Sequence, residues 1–353
     1  MSLTILINNL IIPYIMAGRV TMRHIAERAG VHFSTVSLSL RNNVRIPKAT
    51  RERIQALAHE MGYLPDPVLG ALMAYRHGKK NPGFRGNFAW LNCHPESDGW
   101  KKSQRLSEYY EGACESAGKL GYGIEEFWYF QPGVSPKRLS EILLTRGIAG
   151  ILLTSSSGLS EKIELDWDRF AVIALGYGGM TPPLKMVSID QQGTCSRAIQ
   201  EMVKCGYTRI GMVLSRKHDA SVEYQYTCAF HRATRISRLC QAYPVLYAEQ
   251  HEEAKIVRWL KKEKPRAILS MPYYPWKRLL TEAKLSQKPE ICLLSTSGSP
   301  AELTWHRMVA PGKKVGSIAV SMLDAMIRSD ERGIPDMPSR TVLEGDWVSG
   351  NLV

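Results

Sequence analysis

The chain lacks the sequence patterns that identify most enzymes and most metal sites. It contains no G-x-x-x-x-G-K-[ST] loop, no G-x-G-x-x-G turn after a strand, no H-E-x-x-H and no G-x-S-x-G. Its seven cysteines never occur at C-x-x-C spacing, so neither a zinc site nor a disulfide framework is indicated, and we expect buried thiols in a reducing cytoplasm. These absences predict no catalytic residue, no metal and no cofactor.

A long apolar run is absent as well. The most suggestive stretch lies within residues 1–19, but Asn8 and Asn9 interrupt it, no basic segment precedes it, and it is too short to span a bilayer. We interpret residues 1–19 as a disordered extension outside the fold, with Met16 or Val20 as an alternative start. We expect no membrane association.

Basic residues are unevenly distributed along the 353 residues. Lys and Arg outnumber Asp and Glu by 46 to 33 overall, and residues 20–80 alone hold ten basic and four acidic residues. Hydrophobic residues make up 44% of the chain and charged residues 22%, values typical of globular proteins. The N-terminal excess suits a phosphate-binding module, although a basic solvated face would have the same composition.

Residues 20–62 show the signals of three short helices. Thr21 is a good N-cap, and Gly30 is suited to end the first helix because glycine tolerates positive φ. The second helix, roughly residues 33–40, is predicted to bury Val36 and Leu40. The third is predicted to start with Pro47 at its first helical position and to stop before Gly62. This arrangement predicts a helix-turn-helix head, with a small bundle that binds no ligand as the alternative.

Residues 20–37, VTMRHIAERAGVHFSTVS, closely resemble the N-terminal signature of the lactose-repressor (LacI/GalR) family. The resemblance continues at residues 50–54 and 61–65 and is weaker elsewhere. It implies a sequence-specific transcriptional regulator, acting as a repressor. It also implies three partners: a pseudo-palindromic double-stranded DNA operator, a second copy in a homodimer, and a small effector, for which a sugar is one candidate.

The resemblance further implies that the second helix enters the major groove while other residues of the head hold the DNA backbone. The implied DNA-binding residues are Thr21, Phe33, Ser34, Thr35, Ser37, Leu38, Arg41, Arg45, Thr50 and Tyr63. Three positions depart from the family pattern. His24 replaces an acidic residue and His32 a small hydroxyl residue near the helix starts, so the second helix is expected to be less firmly fixed. Leu38 stands where many members carry a base-reading Arg, so we expect either apolar contact with a thymine methyl or looser sequence discrimination there.

Residues 64–83 are predicted to form a hinge helix followed by a linker. Asp66 and Pro67 make an N-cap and first-turn pair, but so short a helix is marginal by itself in water. By resemblance, Leu72 matches an apolar wedge that paired hinge helices push into the minor groove. An ordinary linker helix is the alternative. The predicted domains are therefore residues 20–63, 64–83 and 84–353.

Residues 84–353 alternate between extended and helical patterns, which predicts an α/β body of parallel sheets covered by helices. A unit of this size is expected to divide into two lobes, and the resemblance implies a periplasmic-binding-protein-like body that binds the effector between the lobes and dimerises. The predicted strands include 87–93, 149–154, 171–175 and 209–214. The predicted helices include 104–120, 136–145, 192–205 and 315–328.

Ligands of such folds bind beyond the carboxyl ends of the strands. The candidate effector-binding residues there are His94, Trp100, Asp190, Tyr224, Tyr273 and Trp276. Sugar-binding members of the family usually carry an Asp directly after the strand at 267–270, where this chain has Met271, which weakens the sugar interpretation. Two rival functions stay open: a solute-binding or enzymatic α/β protein, and a regulator that senses no small molecule.

Overall fold

A computed structural model describes residues 20–40, 46–61, 63, 84–148, 150–154, 162–177, 182–236, 240–296 and 304–350. By its internal contacts the chain divides into two compact units, residues 1–81 and 82–353. We refer to the described part of the first unit as the head and to the second as the body. The predictions for residues 1–19, Arg41, Arg45 and the hinge with Leu72 lie outside the described residues.

The described part of the head consists of helices α1 (Met22–Ala29), α2 (Phe33–Leu40) and α3 (Lys48–Glu60). Thr21 caps α1 as predicted, and Gly30 ends it at φ 66°, a left-handed conformation that glycine adopts without steric cost. Pro47 occupies the N-cap of α3 and not its first helical position, so that prediction was wrong by one residue. Proline suits either place because no helical partner is required of its missing N–H.

A small apolar core holds these helices together. Leu40 is only partly buried, whereas its neighbour Ser39 is completely buried, so the predicted inner face of α2 was wrong at this position. Gln55 of α3 donates to the Ser39 carbonyl at 3.0 Å, which draws this turn of α2 onto α3. The buried core residues are Ile25, Ala26, Ala29, Val36, Ile54 and Ala58.

The first lobe of the body is built on a parallel sheet of six described strands in the order β12-β5-β4-β3-β1-β2. The strands are β1 (Gly86–Asn92), β2 (Tyr122–Trp128), β3 (Gly150–Thr154), β4 (Ala171–Leu175), β5 (Met186–Ile189) and β12 (Arg340–Leu343). Helices α4 (Gln104–Leu120) and α11 (Gly312–Arg328) cover one face, and α5 (Pro136–Thr145) covers the other.

Alternate residues of these strands face opposite layers, as the two-residue period of a strand requires. Leu152 and Ile173 pack under α4 and α11, while Ile151 and Val172 pack under α5. The two helices α4 and α11 approach closely, because a Cβ on Gly316 would lie 1.9 Å from the Tyr109 carbonyl oxygen.

The second lobe has seven described strands in the order β13-β11-β10-β9-β6-β7, and β8 also pairs with β6. All pairings are parallel except that of β11 with β13, which is antiparallel. The strands are β6 (Arg209–Leu214), β7 (Gln241–Ala242), β8 (Leu246–Tyr247), β9 (Ala267–Ser270), β10 (Glu290–Thr296), β11 (His306–Val309) and β13 (Asp346–Val348).

Helices α6 (Gln191–Lys204) and α8 (Gln225–His231) cover one face of this second sheet. Helices α9 (Glu253–Glu263) and α10 (Trp276–Ala283) cover the other. A short helix α7 (Arg216–Ser221) follows β6, and a π-helical turn, Arg232–Ile236, extends α8. The body is thus the two-lobed α/β structure with parallel sheets that the sequence predicts.

The chain crosses between the lobes three times, after β5, after β11 and after β12. Two hydrogen bonds from backbone N–H groups tie neighbouring crossings: the Asp190 N–H donates to the Leu343 carbonyl at 2.7 Å, and the Gly345 N–H donates to the Thr194 side chain, Oγ1, at 3.0 Å. These short connections give the lobes a shared hinge.

Candidate nucleic-acid interface and effector cleft

Helix α2 presents a continuous polar and aromatic surface because only two of its residues turn fully inward. Val36 and Ser39 are buried, which fixes the rotation of the helix. Phe33 is 43% exposed although it is aromatic, and Ser34 beside it is exposed. The other predicted base-facing residues, Thr35, Ser37 and Leu38, are all half-buried. This is the side-chain distribution of a helix that leaves one face for a partner.

Hydrogen bonds from α3 hold α2 and its turn in place. Arg53 donates to the Ala29 carbonyl at the end of α1 at 3.3 Å, and Arg51 donates to the Ile46 carbonyl at 3.3 Å. Ordinary carbonyl groups near helix ends need such partners. The third helix therefore stabilises the end of the first helix, where the turn to the second helix begins.

The residues predicted to hold the DNA backbone lie at helix starts and at the end of the described head. Thr21 is exposed and its hydroxyl accepts from the His24 N–H at 3.4 Å, while Thr50 is half-buried in the first turn of α3. Tyr63 is half-buried, packs against the head core, and its N–H donates to the Ala58 carbonyl at 2.9 Å. Their assignment to DNA stays a prediction.

Residues 21–66 match the family model described as bacterial regulatory proteins, lacI family. The HTH-type transcriptional repressor CytR of Escherichia coli (strain K12) is 44% identical to the chain over 197 residues, which is 55% of this chain and 53% of that protein. The family match thus covers the three helices of the head. The chain spans about half the length of the curated relatives that it matches first.

Solved structures of transcriptional regulators are similar to the chain in fold. The transcriptional regulator CelR in its cellobiose complex aligns with a TM-score of 0.55 at 18% identity, covering 94% of this chain and 98% of that one. The Lac repressor dimer bound to operator and the anti-inducer ONPF aligns with a TM-score of 0.53 at 15% identity, with the same coverage. At these identities the likeness establishes architecture only.

The predicted effector residues of the body fall into two groups. Trp100 and Trp276 are 3% and 2% exposed and belong to the hydrophobic cores of the first and second lobes. Trp100 packs against Trp90 and Tyr110 at centroid distances of 5.3 and 4.8 Å. Both tryptophans therefore have a sufficient structural role, and an effector contact for them stays untested.

The other four candidates lie at loop or connection positions. His94 follows β1, and its carbonyl accepts from Trp128 Nε1 at 2.9 Å. Asp190 caps α6 by accepting from the Gly193 N–H at 2.7 Å, directly at the first crossing between the lobes. Tyr224 is 43% exposed and holds a left-handed conformation at φ 56°. Tyr273 follows β9 and is half-buried.

Around Tyr273 the structure assembles a polar and aromatic cluster whose other members were not among the candidate effector residues. The His218 ring lies 6.0 Å from the Tyr226 ring and 5.9 Å from the Tyr273 ring. Burial, with a smaller contribution from the Arg105 charge, lowers the pKa of His218 to about 4. Arg105 belongs to α4 of the first lobe, and its charge acts on His218 and Tyr226 of the second lobe. We call these four residues the cleft cluster.

The sequence offered a weak signal for the cleft cluster. No ligand-like spacing surrounds His218 in the sequence, and the structure leaves this residue half-buried beside the Tyr226 and Tyr273 rings. Arg105 carries a buried Nε for which no hydrogen-bond partner exists among the described residues. A buried donor of this kind favours a polar partner in the cleft.

Other classes of site find little support in the part of the chain that the structure describes. No group of three or more His, Cys, Asp or Glu side chains there is placed to hold a metal ion, and no helix there is long and apolar enough to cross a membrane. All seven cysteines are free thiols, but Cys205 and Cys228 are exposed, so the expectation of burial was wrong for these two.

Proposed function

We propose that the chain is a sequence-specific DNA-binding transcriptional regulator, acting as a repressor, and not an enzyme. The observation that carries the proposal is the exposed face of α2, fixed by the buried Val36 and Ser39 and located inside the segment that matches the lacI-family model. A short helix with small hydroxyl side chains and one exposed aromatic ring suits the major groove.

In the proposed complex, α2 reads base edges while the rest of the head holds phosphates. Phe33, Thr35 and Leu38 are assigned to bases and methyl groups, and Ser34 and Ser37 to bases or phosphates. Arg41 is assigned to the DNA-facing set of α2, and the backbone contacts are assigned to Thr21, Arg45, Thr50 and Tyr63. Two copies bind the two halves of a pseudo-palindromic operator as a homodimer, and Leu72 of each hinge enters the minor groove.

We further propose that a small effector binds between the lobes and shifts their relative arrangement. The cleft cluster supports this assignment because it draws charged, hydrogen-bonding and aromatic groups from both lobes to one place. Asp190 lies on the first connection between the lobes, so a ligand that bound Asp190 would also contact the hinge between the lobes. The ligand must bind one lobe arrangement more tightly than the other, or it cannot change DNA binding. The proposed location of the protein is the cytoplasm.

The DNA-binding proposal is tested by selecting duplexes from a random-sequence pool with the full chain. We expect an inverted repeat to be enriched, and to be bound roughly 10³-fold more tightly than its scrambled version at physiological salt. Affinity for the selected duplex should fall steeply as salt rises, because basic residues release counterions. Equal affinity for selected and scrambled duplexes would instead support a solute-binding or enzymatic protein.

The effector proposal has a separate test. Thermal unfolding of the full chain is measured with panels of sugars, nucleosides and organic acids, and a ligand of the cleft is expected to raise the melting temperature. The Arg105→Gln variant should lose that shift while retaining operator affinity. If no compound in the panels shifts melting, the protein is a regulator without a small-molecule effector of these classes.

A further inference from the structure

A histidine side chain caps the helix that is proposed to read DNA. His32 directly precedes α2, and its Nδ1 accepts from the Ser34 N–H at 3.3 Å and lies 2.8 Å from the Ser34 hydroxyl. The His32 carbonyl also accepts from the Thr35 N–H at 2.9 Å. An N-cap side chain satisfies one of the first N–H groups of a helix, usually through a Ser, Thr, Asp or Asn oxygen. Here an imidazole nitrogen takes that role.

The first helix of the head begins in a related way. Thr21 Oγ1 accepts from the His24 N–H, and in return His24 Nδ1 accepts from the Thr21 N–H at 3.3 Å. This reciprocal arrangement is a capping box, in which the third helical position normally carries Glu or Gln. Two of the three positions that depart from the family pattern, His24 and His32, therefore cap their helices with a different acceptor.

An imidazole can cap in this way only while it is neutral. A neutral ring has one nitrogen with a proton and one without, and here the acceptor is Nδ1, so the proton belongs on Nε2. A protonated ring donates from both nitrogens, so His32 could keep its 2.8 Å contact with the Ser34 hydroxyl as a donor but would lose the bond from the Ser34 N–H. Protonation also places a positive charge at the positive end of the helix dipole. Both effects act against the start of the helix.

The charged groups near His32 are few among the described residues. Arg23 and Glu27 of α1 line the same shallow concavity as His32, and their charges are opposite. From α3, Arg53 reaches the Ala29 carbonyl near the turn. Arg28 of α1 forms an ion pair with Glu60 of α3, with 4.0 Å between Arg28 Nη2 and Glu60 Oε1. Among the described residues, Glu27 is the one carboxylate that lines this concavity, and the opposite charge of Arg23 lies there as well.

We propose that His24 and His32 are proton-sensitive caps that position α2 for specific DNA recognition. This inference rests on the proposed DNA-binding function. Histidine is the side-chain type that ordinarily changes charge between pH 5 and 8, which sets the pH interval of the test. Specific recognition requires an accurately placed α2, whereas attraction of a charged imidazole to phosphates helps all duplexes alike. The ratio of specific to non-specific affinity therefore isolates the cap effect.

The test compares the full chain with a variant whose caps cannot titrate. In His24→Gln/His32→Asn, both new residues are good capping residues without a proton switch. Affinities for the selected inverted repeat and for its scrambled version are measured by fluorescence anisotropy at pH 8.0 and 5.5, well below the melting temperature. We expect the wild-type affinity ratio to fall about fivefold at the lower pH, and the variant ratio to change less than about twofold.

Two outcomes of the binding assay contradict the proposal. Either the wild-type ratio stays constant, or the ratio of the double variant falls as much as that of the wild type. The single variant His32→Ala adds a further check, because it removes the cap at every pH and is expected to show the low ratio already at pH 8.0. Circular dichroism of each variant establishes that the head is folded.

A second measurement keeps the inference independent of DNA. Imidazole ¹⁵N shifts of the full chain, labelled on histidine and assigned with His24→Gln and His32→Asn, report which ring nitrogen carries the proton. We expect both rings to carry it on Nε2 at pH 8.0. A proton on Nδ1 of His32 would overturn the cap even if DNA binding is specific. Failure to bind DNA specifically, with the Nε2 form present, would contradict the proposed function and leave the caps established.

Discussion

The head and the body of this protein are stabilised in different ways. The head has one small core of six buried residues, and three of these are alanines. The body has four core clusters, two in each lobe, that include large aromatic and aliphatic side chains. A small domain buries too little apolar surface to tolerate many losses. The head therefore depends on individual core residues and on exposed caps, whereas the body depends on its cores.

The histidines illustrate the same difference. His24 and His32 of the head are exposed and hold helix starts through hydrogen bonds. His218 and His306 of the body are held neutral instead, because burial lowers the pKa of each. One residue type thus serves as a surface cap in the head and as a packed ring in the body.

The largest expected effect comes from matched core substitutions in the two regions. Ile54→Ala in the head and Ile173→Ala in the body each remove a fully buried side chain and should cost about 2–5 kcal/mol. That cost matches the whole stability expected of a small head, so Ile54→Ala should lower operator affinity more than about 100-fold. Ile173→Ala should lower the melting temperature of the body by several degrees and leave operator affinity within about threefold.

Operator titration and calorimetry of the two variants provide the measurement. Calorimetry of Ile54→Ala should show the melting of the body unchanged. If both substitutions weaken operator binding equally, the head does not depend on its small core in the way described.

An intermediate effect is expected from acid. Because burial lowers the pKa of His218 to about 4, the unfolded chain binds a proton there below pH 6.5 while the folded chain does not. The stabilisation is therefore complete above pH 6.5 and is lost as the pH falls toward 4. Between pH 7 and pH 5 the body should lose about 2 kcal/mol through this residue.

The measurement is urea unfolding of the full chain at pH 7 and pH 5, followed in the body. His218→Gln is the comparison variant, because it packs without titrating, and its stability should change less over the same interval. An equal pH dependence in both proteins would show that His218 is not held neutral by burial.

The smallest effect is expected from an exposed ion pair that spans the two lobes. Arg340 of β12 makes two hydrogen bonds to Glu223, at 2.8 and 3.0 Å, and lies over the Tyr177 ring. Both partners are about half exposed, so solvent screening limits the pair to about 0.2–1 kcal/mol. A double-mutant cycle with Arg340→Gln and Glu223→Gln should measure that coupling in urea unfolding.

The exposed pair of Arg138 with Glu141 within α5 is a matched control, with a comparable or smaller coupling. A coupling above about 2 kcal/mol across the lobes would contradict the view that the body depends on its cores and not on its surface contacts.

Much of the fold was predictable where local signals and burial agree. Helix α4 begins and ends where predicted because Ser103 caps its start and Gly121 accommodates a left-handed conformation at its end. Strand β4 matches its prediction because all five of its residues are buried and apolar. The exposed surface of α2 followed largely from the helical period, although Ser39 replaced Leu40 on its inner face.

Other features could not be predicted because their cause lies in distant contacts. Strand β12 has exposed and half-buried residues and is defined by its backbone pairing with β5. Trp276 was predicted to contact an effector beyond the carboxyl end of a strand; the structure places it at the start of α10, in the core with Leu279 and Leu280, and its effector role stays a prediction. The capping role of His32 was missed because histidine is not an ordinary capping residue.

The most direct test of the central claim is a change of sequence preference through α2 alone. Leu38→Arg places a bidentate donor where a side chain is proposed to meet bases, and Arg pairs best with guanine. Duplex selection with the full-length variant should enrich an inverted repeat that differs from the wild-type repeat at one position in each half, with guanine favoured there. Enrichment of the unchanged wild-type repeat, with comparable affinity, would contradict the account that α2 reads the operator.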